Sequence, residues 1–131
     1  MIFYPFNPEF DHKSLKLIRS ENGGSNDKEP SPYSTIYLFE EKDQTVGYLW
    51  FETGKAQVEL MEFYFKGEEE KRWGLYDFIV KLAKKQNEER LRMRIPATSL
   101  GEKFLKKWEG KVVERDEREL RIEIPFLREL A

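Results

Sequence analysis

Hydrophobic positions along this chain alternate in some stretches and recur every three or four residues in others. The two periods divide it into strands and helices. Met1 to Phe6 is a short apolar stretch, and Pro5 suits it to an edge strand, where a missing backbone N–H is tolerated. Asn7 and Pro8 predict a helix start, with Asn7 as cap and Pro8 at the first helical position. Leu15, Leu17 and Ile18 supply its apolar side, and Asn22-Gly23-Gly24 stops it. Ser25 to Pro32 holds two prolines and no apolar side chain of strand or helix type, so it reads as a loop. Three strands follow, Thr35 to Glu40, Thr45 to Glu52 and Ala56 to Phe65. The connections are too short for anything but antiparallel neighbours, a meander. In the third strand strict alternation puts Val58, Leu60 and Glu62 on one face and Glu59, Met61, Phe63 and Phe65 on the other. Both faces are largely apolar, which predicts a central strand covered on both sides.

Gly67 and the run Glu68-Glu69-Glu70 precede a helix predicted from Gly74 to about Asn87, with Leu75, Phe78, Ile79, Leu82 and Ala83 on its apolar side. Arg90 to Ile95 alternates Leu91, Met93 and Ile95 with arginines, a half-exposed strand that Pro96 ends. Thr98 or Ser99 caps a helix through Trp108, with Leu100, Phe104 and Trp108 in one stripe. Gly110 is expected to close it in the left-handed conformation. Lys111 to Arg115 and Glu119 to Ile124 form a hairpin, and Pro125 begins a tail. There is no repeat and no change of composition along the chain, so residues 1–131 read as a single domain.

Composition narrows the chemistry. The 131 residues carry 23 Lys and Arg against 25 Asp and Glu, a formal net charge of −2. That balance speaks against a nucleic-acid module, which needs a basic excess to neutralise phosphates. The absence of cysteine removes disulfides, thiolate nucleophiles and Cys-ligated zinc, and His12 as the lone histidine speaks against a histidine-built metal site or a Ser-His-Asp triad. No apolar run approaches the roughly 20 residues of a membrane span, and no signal sequence is visible. A soluble, cytoplasmic protein is the expectation. Charged residues reach 37%, while cysteine is absent and Asn, Gln and Met are scarce, a thermophile-like composition.

The element order, with a long helix between the third meander strand and the next strand, resembles the GNAT-type N-acetyltransferases. Two segments carry the resemblance. Phe63-Tyr64-Phe65 followed by Lys71-Arg72-Trp73-Gly74-Leu75-Tyr76 stands where the family has an apolar strand end and an Arg/Gln-x-x-Gly-x-Gly/Ala turn. Gly74 matches the first glycine, Lys71 replaces Arg or Gln, and Tyr76 replaces the second small residue. Gly101 to Gly110 is similar to the family's Ala-x-x-Phe-Tyr-x-x-x-Gly-Phe helix end, with Phe104 at the Phe and Leu105 at the Tyr. The resemblance implies an α+β fold, a mostly antiparallel sheet flanked by helices, with a central strand pair that splays after Ala56–Phe65 because the intervening helix makes a parallel crossover.

It also implies an acyl-coenzyme A dependent N-acyltransferase that moves an acetyl group from acetyl-CoA to an amine, without a metal. The backbone of Phe63, Tyr64 and Phe65 would align the pantetheine arm. Lys71, Arg72, Trp73, Gly74, Leu75 and Tyr76 would receive the pyrophosphate at the helix start, where free N–H groups and the macrodipole favour anions. Glu59 matches the general base, with Glu62 as the spare, and Tyr76 or Tyr64 would stand in for the tyrosine acid that Leu105 cannot replace. Against the enzyme stands a catalytically silent binding or structural domain of the same fold, favoured by Tyr76, Leu105 and the three carboxylates Glu68, Glu69 and Glu70. The acceptor is unidentified; its pocket is expected in the Asn22 to Tyr33 stretch. Arg90, Arg92 and Arg94 form a basic strip, read as a solvated face or a contact for an acidic group. The apolar tail residues Phe126, Leu127 and Leu130 and the final hairpin edge suggest a homodimer, with a tail folded back on a monomer as the alternative.

Overall fold

A computed structural model describes residues 1–23 and 28–126. One mixed sheet in the order β1-β2-β3-β4-β5-β7-β6 organises the chain. Its elements are β1 (Ile2–Pro5), α1 (His12–Glu21), β2 (Ser34–Glu41), β3 (Gln44–Gly54), β4 (Gln57–Phe65), α2 (Glu69–Lys84), β5 (Arg90–Pro96), α3 (Ser99–Lys107), β6 (Lys111–Arg115) and β7 (Glu119–Pro125). All neighbours are antiparallel except β4 and β5, which run parallel because α2 carries the chain back across the sheet. The meander turns are two residues each. Lys42 and Asp43 both have positive φ, 49° and 62°, as a turn that follows the strand twist requires. Gly47 is needed for closeness: a Cβ there would run into the Tyr64 carbonyl of β4.

Burial sorts the helices by face. The larger core lies between the sheet and α2 and α3, with Leu49, Phe51, Val58, Phe65, Leu91, Met93, Ile95, Leu120 and Ile122 from the strands. The opposite face holds a smaller cluster in which Leu15 and Ile18 of α1 pack on Ile36, Leu38, Tyr48 and Trp50.

Several local expectations are corrected. The first helix begins at His12, because Asn7 caps a turn instead: its side chain accepts from the Glu9 N–H at 2.9 Å, and its carbonyl accepts from Phe10 and Asp11. Leu17 and Leu100 face solvent, since the packed stripes run through Leu15 and Ile18 in α1 and through Gly101 and Leu105 in α3. Thr98, rather than Ser99, caps α3, accepting from the Gly101 N–H at 3.1 Å. Glu109, with φ 55°, takes the left-handed position after α3. Gly110 is required by packing, because a Cβ there would lie 2.8 Å from Leu105.

Candidate active site

The site begins with one extra residue in β4. Trp50 pairs with Glu62 and Phe51 with Leu60, so Met61 is left over as a bulge. A bulge exchanges the faces of everything beyond it. Val58 and Leu60 lie on the α2 and α3 side together with Phe63 and Phe65, while Met61, Glu62 and Tyr64 lie on the α1 side. The alternation expected from sequence, which grouped Glu62 with Val58 and Glu59 with Phe63, therefore fails at Met61. At the same place β4 loses its parallel partner. The β4–β5 register runs Gln57–Arg90, Val58–Leu91 and Glu59–Arg92 and then ends. From Leu60 onward the outer edge of β4 is open, and the expected splay is present.

The two glutamates have opposite surroundings. Glu62 is buried and fully engaged: Arg19 of α1 donates to it through Nε at 3.0 Å and Nη2 at 2.9 Å, and Tyr48 donates its hydroxyl at 2.7 Å. Asn22 donates in turn to the Tyr48 oxygen at 3.0 Å. Burial first, and then the hydrogen bond to Glu62, push the Tyr48 phenol well above its ordinary value. The Arg19 guanidinium also lies over the Trp50 ring, 4.6 Å from its centre. Sequence reading missed this network, because Arg19 and Glu62 are 43 positions apart. Glu59 is different. It makes no hydrogen bond or ion pair among the described residues and borders a cavity of about 280 Å³ where β4 and β5 part. Leu60 and Met61 of β4, Arg92, Met93 and Arg94 of β5, Val113 of β6 and Arg121 and Ile122 of β7 complete its wall.

The helix side of the splay departs from expectation. α2 starts at Glu69, five residues before Gly74, with Glu68 in the extended cap position. The Arg72 N–H already bonds the Glu68 carbonyl at 3.0 Å. Free amides at this terminus therefore belong to Glu69, Glu70 and Lys71, and the segment Lys71 to Tyr76 is helix rather than turn. The early start has a cause: Glu69 and Glu70 sit in the first turn, where carboxylates favour the helix. Gly74 is exposed in the second turn, with nothing within 4 Å of where a Cβ would stand. Trp73, Leu75 and Tyr76 are core residues. Lys71 turns its ammonium to Glu41 at 3.3 Å, and Arg72 donates to the Phe65 carbonyl at 2.9 Å, at the end of the open β4 edge.

Tyr76 packs edge-on against Phe63, ring centres 4.8 Å apart, and against Trp73 at 5.0 Å; Trp73 stacks on Phe104 at 5.0 Å. Burial pushes the Tyr76 phenol up to about 12; Arg72 opposes this and the charge of Glu119, at the start of β7, adds to it. The ring packs beside Phe63 of β4 in the core on the α2 and α3 side, the face away from Glu59. The structure thus does not gather Glu59 and Tyr76 on one face. Tyr64 lies on the α1 side, and Leu105 is core. Between α2 and α3 runs an apolar groove of about 1020 Å³, walled by Trp73, Gly74, Leu100 and Phe104 with Glu69, Glu70, Lys103, Lys106 and Lys107 at its rim. No helix among the described residues is long and apolar enough to cross a membrane, and no cluster of three metal-ligating side chains occurs among them.

A family model for the acetyltransferase (GNAT) domain matches residues 10–123. Among solved structures, the aminoglycoside 6'-N-acetyltransferase from Enterococcus faecium superposes with a TM-score of 0.66 at 13% identity, covering 100% of both chains. The ribosomal-protein-S18-alanine N-acetyltransferase from Escherichia coli gives 0.64 at 6%, over 95% of this chain and 92% of that one. The PaiA N-acetyltransferase from Thermoplasma acidophilum, solved in complex with coenzyme A, gives 0.54 at 17%, over 91% of this chain and 73% of that one. No curated protein sequence matches. At these identities the superpositions speak for the fold, and the family model, over most of the chain, speaks for descent: the protein belongs to the GNAT acetyltransferase family.

Proposed function

We propose that the chain is an acyl-CoA dependent N-acyltransferase that uses acetyl-CoA, with Glu59 as general base. The observation that carries this reading is the coincidence, at one point of β4, of an open strand edge and, at a cavity, a carboxylate with no partner among the described residues. An extended pantetheine arm would lie along the backbone of Phe63 to Phe65, as an added strand. Its phosphates would meet the free amides of Glu69 to Lys71, one turn before Gly74, with Arg72 free to exchange the Phe65 carbonyl for a phosphate. In the transfer the ammonium of the acceptor gives a proton to Glu59. The amine nitrogen then forms its bond to the thioester carbonyl carbon, and the carbon–sulfur bond breaks. As it breaks, the nitrogen gives up its second proton to solvent, and the coenzyme leaves as thiolate and takes a proton from solvent. Leu105 has no proton to give, and Tyr76, a very weak acid in its buried position, gives one up slowly.

Calorimetric titration with acetyl-CoA is the direct test; binding is expected, and no heat at millimolar ligand would end the reading. Glu59→Gln is expected to lower kcat by about 10²- to 10⁴-fold. The second reading is a catalytically silent domain of the same fold. It is favoured by the packed aromatic chain Phe63, Tyr76, Trp73 and Phe104 beside the β4 end and by the carboxylates at the α2 start. Tyr76→Ala separates the two: coenzyme binding gained only in the variant supports the silent domain. For assembly we propose a symmetric pair through the β6 edge.

A further inference from the structure

The cavity beside Glu59 has walls of opposite character. One is β4, with a single carboxylate that has no partner among the described residues. The other is the α1-side face of β5 and β7, from which Arg92, Arg94 and Arg121 reach the cavity. Strand geometry makes this cluster: Arg92 and Arg94 are two residues apart on β5, and Arg94 pairs directly with Arg121 on β7. Three guanidiniums on one small patch repel one another, and the sheet answers with acids placed around them. Arg92 bonds Glu123 through Nε at 3.2 Å, Arg121 bonds Glu114 through Nη1 at 2.9 Å, and Arg94 makes a long pair with Glu119 at 3.8 Å. None of these acids borders the cavity. Each guanidinium has five N–H donors in a planar fork, so most remain to be used. The side chains are about half exposed, at 48%, 58% and 49%, and so are able to turn toward a ligand.

We infer that the acceptor is a small primary amine that carries its own carboxylate, such as a free amino acid. The inference rests on the acyltransferase reading of the same cavity. The ammonium lies toward Glu59, which attracts it and takes its proton, and the carboxylate lies across the cavity in the arginine forks. The size suits a small acceptor: about 280 Å³ is just under the range of small-molecule pockets, about 300 to 1,000 Å³. The same wall repels a polyamine, whose second and third charges would face guanidiniums.

The test compares L-glutamate, L-leucine, L-leucinamide and spermidine as acceptors at fixed acetyl-CoA, and measures thermal shifts with each amine alone. Leucinamide is the control for leucine, the same side chain without the carboxylate. The expected result is a kcat/KM at least tenfold higher for leucine and glutamate than for leucinamide or spermidine. Arg92→Gln and Arg94→Gln are expected to raise KM for the two amino acids tenfold and leave that for leucinamide unchanged, while Arg115→Gln, outside the cavity, changes neither. Turnover of leucinamide or spermidine at equal or higher efficiency would overturn the inference and leave acyl transfer standing. Absence of turnover, with a glutamate thermal shift that Arg92→Gln abolishes, would keep the ligand class and defeat the acyltransferase reading. Neither turnover nor shift with the amino acids would overturn the inference.

Discussion

Glu62 is satisfied inside the protein by Arg19 and Tyr48, which reach it from two other elements. Such an arrangement is costly to break by halves, since one ion then stays buried without its partner. Arg19→Met is expected to destabilise the fold by about 3–5 kcal/mol in urea titration, and the double change Arg19→Met with Glu62→Leu to cost less than the single one. Gly74 gives the opposite case. In a phosphate-binding turn its missing side chain would be indispensable, but here it is an exposed position inside a helix, with open space around it. Gly74→Ala is expected to stabilise the protein by about 0.5–1 kcal/mol, read as a rise in melting temperature, and to leave acetyl-CoA affinity unchanged. A large loss of affinity would restore the cradle to Gly74. His12, the one histidine, is exposed at the start of α1 and enters neither site nor core.

At the scale of elements, α2 and α3 are held together by Asp77, which accepts from Lys107 Nζ at 2.6 Å and from the Trp108 indole N–H at 2.8 Å. Burial works against its charge, but these bonds prevail and hold its carboxyl below the usual aspartate range. The folded state therefore binds fewer protons than the unfolded chain, in which Asp77 titrates at about pH 4. Its stabilisation is complete above that value and is lost as pH falls through the lowered folded value. Asp77→Asn is expected to cost about 1–2 kcal/mol at pH 7, and the gap from wild type to shrink on acidification. Urea midpoints of both proteins at pH 7 and pH 3 check this. A second constraint lies where α3 leaves β5: a Cβ on Gly101 would meet the Pro96 carbonyl, so Gly101→Ala is expected to cost about 1–3 kcal/mol.

For the whole molecule the free edges of the sheet are β1 and β6. Val113 on β6 is exposed, which leaves that edge open to a second copy. The tail gives less support to this pairing than the sequence suggested. Phe126 packs against its own core, its N–H bonded to the Glu89 carbonyl at 2.8 Å, and Leu127 and Leu130 lie outside the described residues. If β6 pairs with a second β6, light scattering gives about twice 15.8 kDa, and Val113→Lys returns the protein to a monomer. A wild-type protein at 15.8 kDa would end that proposal.

The order of strands and helices was legible in the sequence because short connections and hydrophobic period are local properties. The strands of the meander, the arginine-studded β5 and the final hairpin all stand where alternation put them, and the crossover made β4 and β5 parallel. The splay itself was foreseen from family resemblance. Glu59 was singled out in the same way, and the structure places it at the cavity where β4 and β5 part, with no partner among the described residues. Other features depend on positions far apart in the chain. A bulge arises between two strands rather than within one, so alternation along β4 could not reveal Met61 or bring Glu62 to the side of Arg19. The start of α2 also moved, because carboxylates at a helix terminus favour earlier turns while the core still takes Trp73 and Tyr76. Arg121 joins Arg92 and Arg94 only because β7 returns beside β5. Composition and period determined the elements; tertiary pairing decided which charges meet at the opening, since that depends on register between strands.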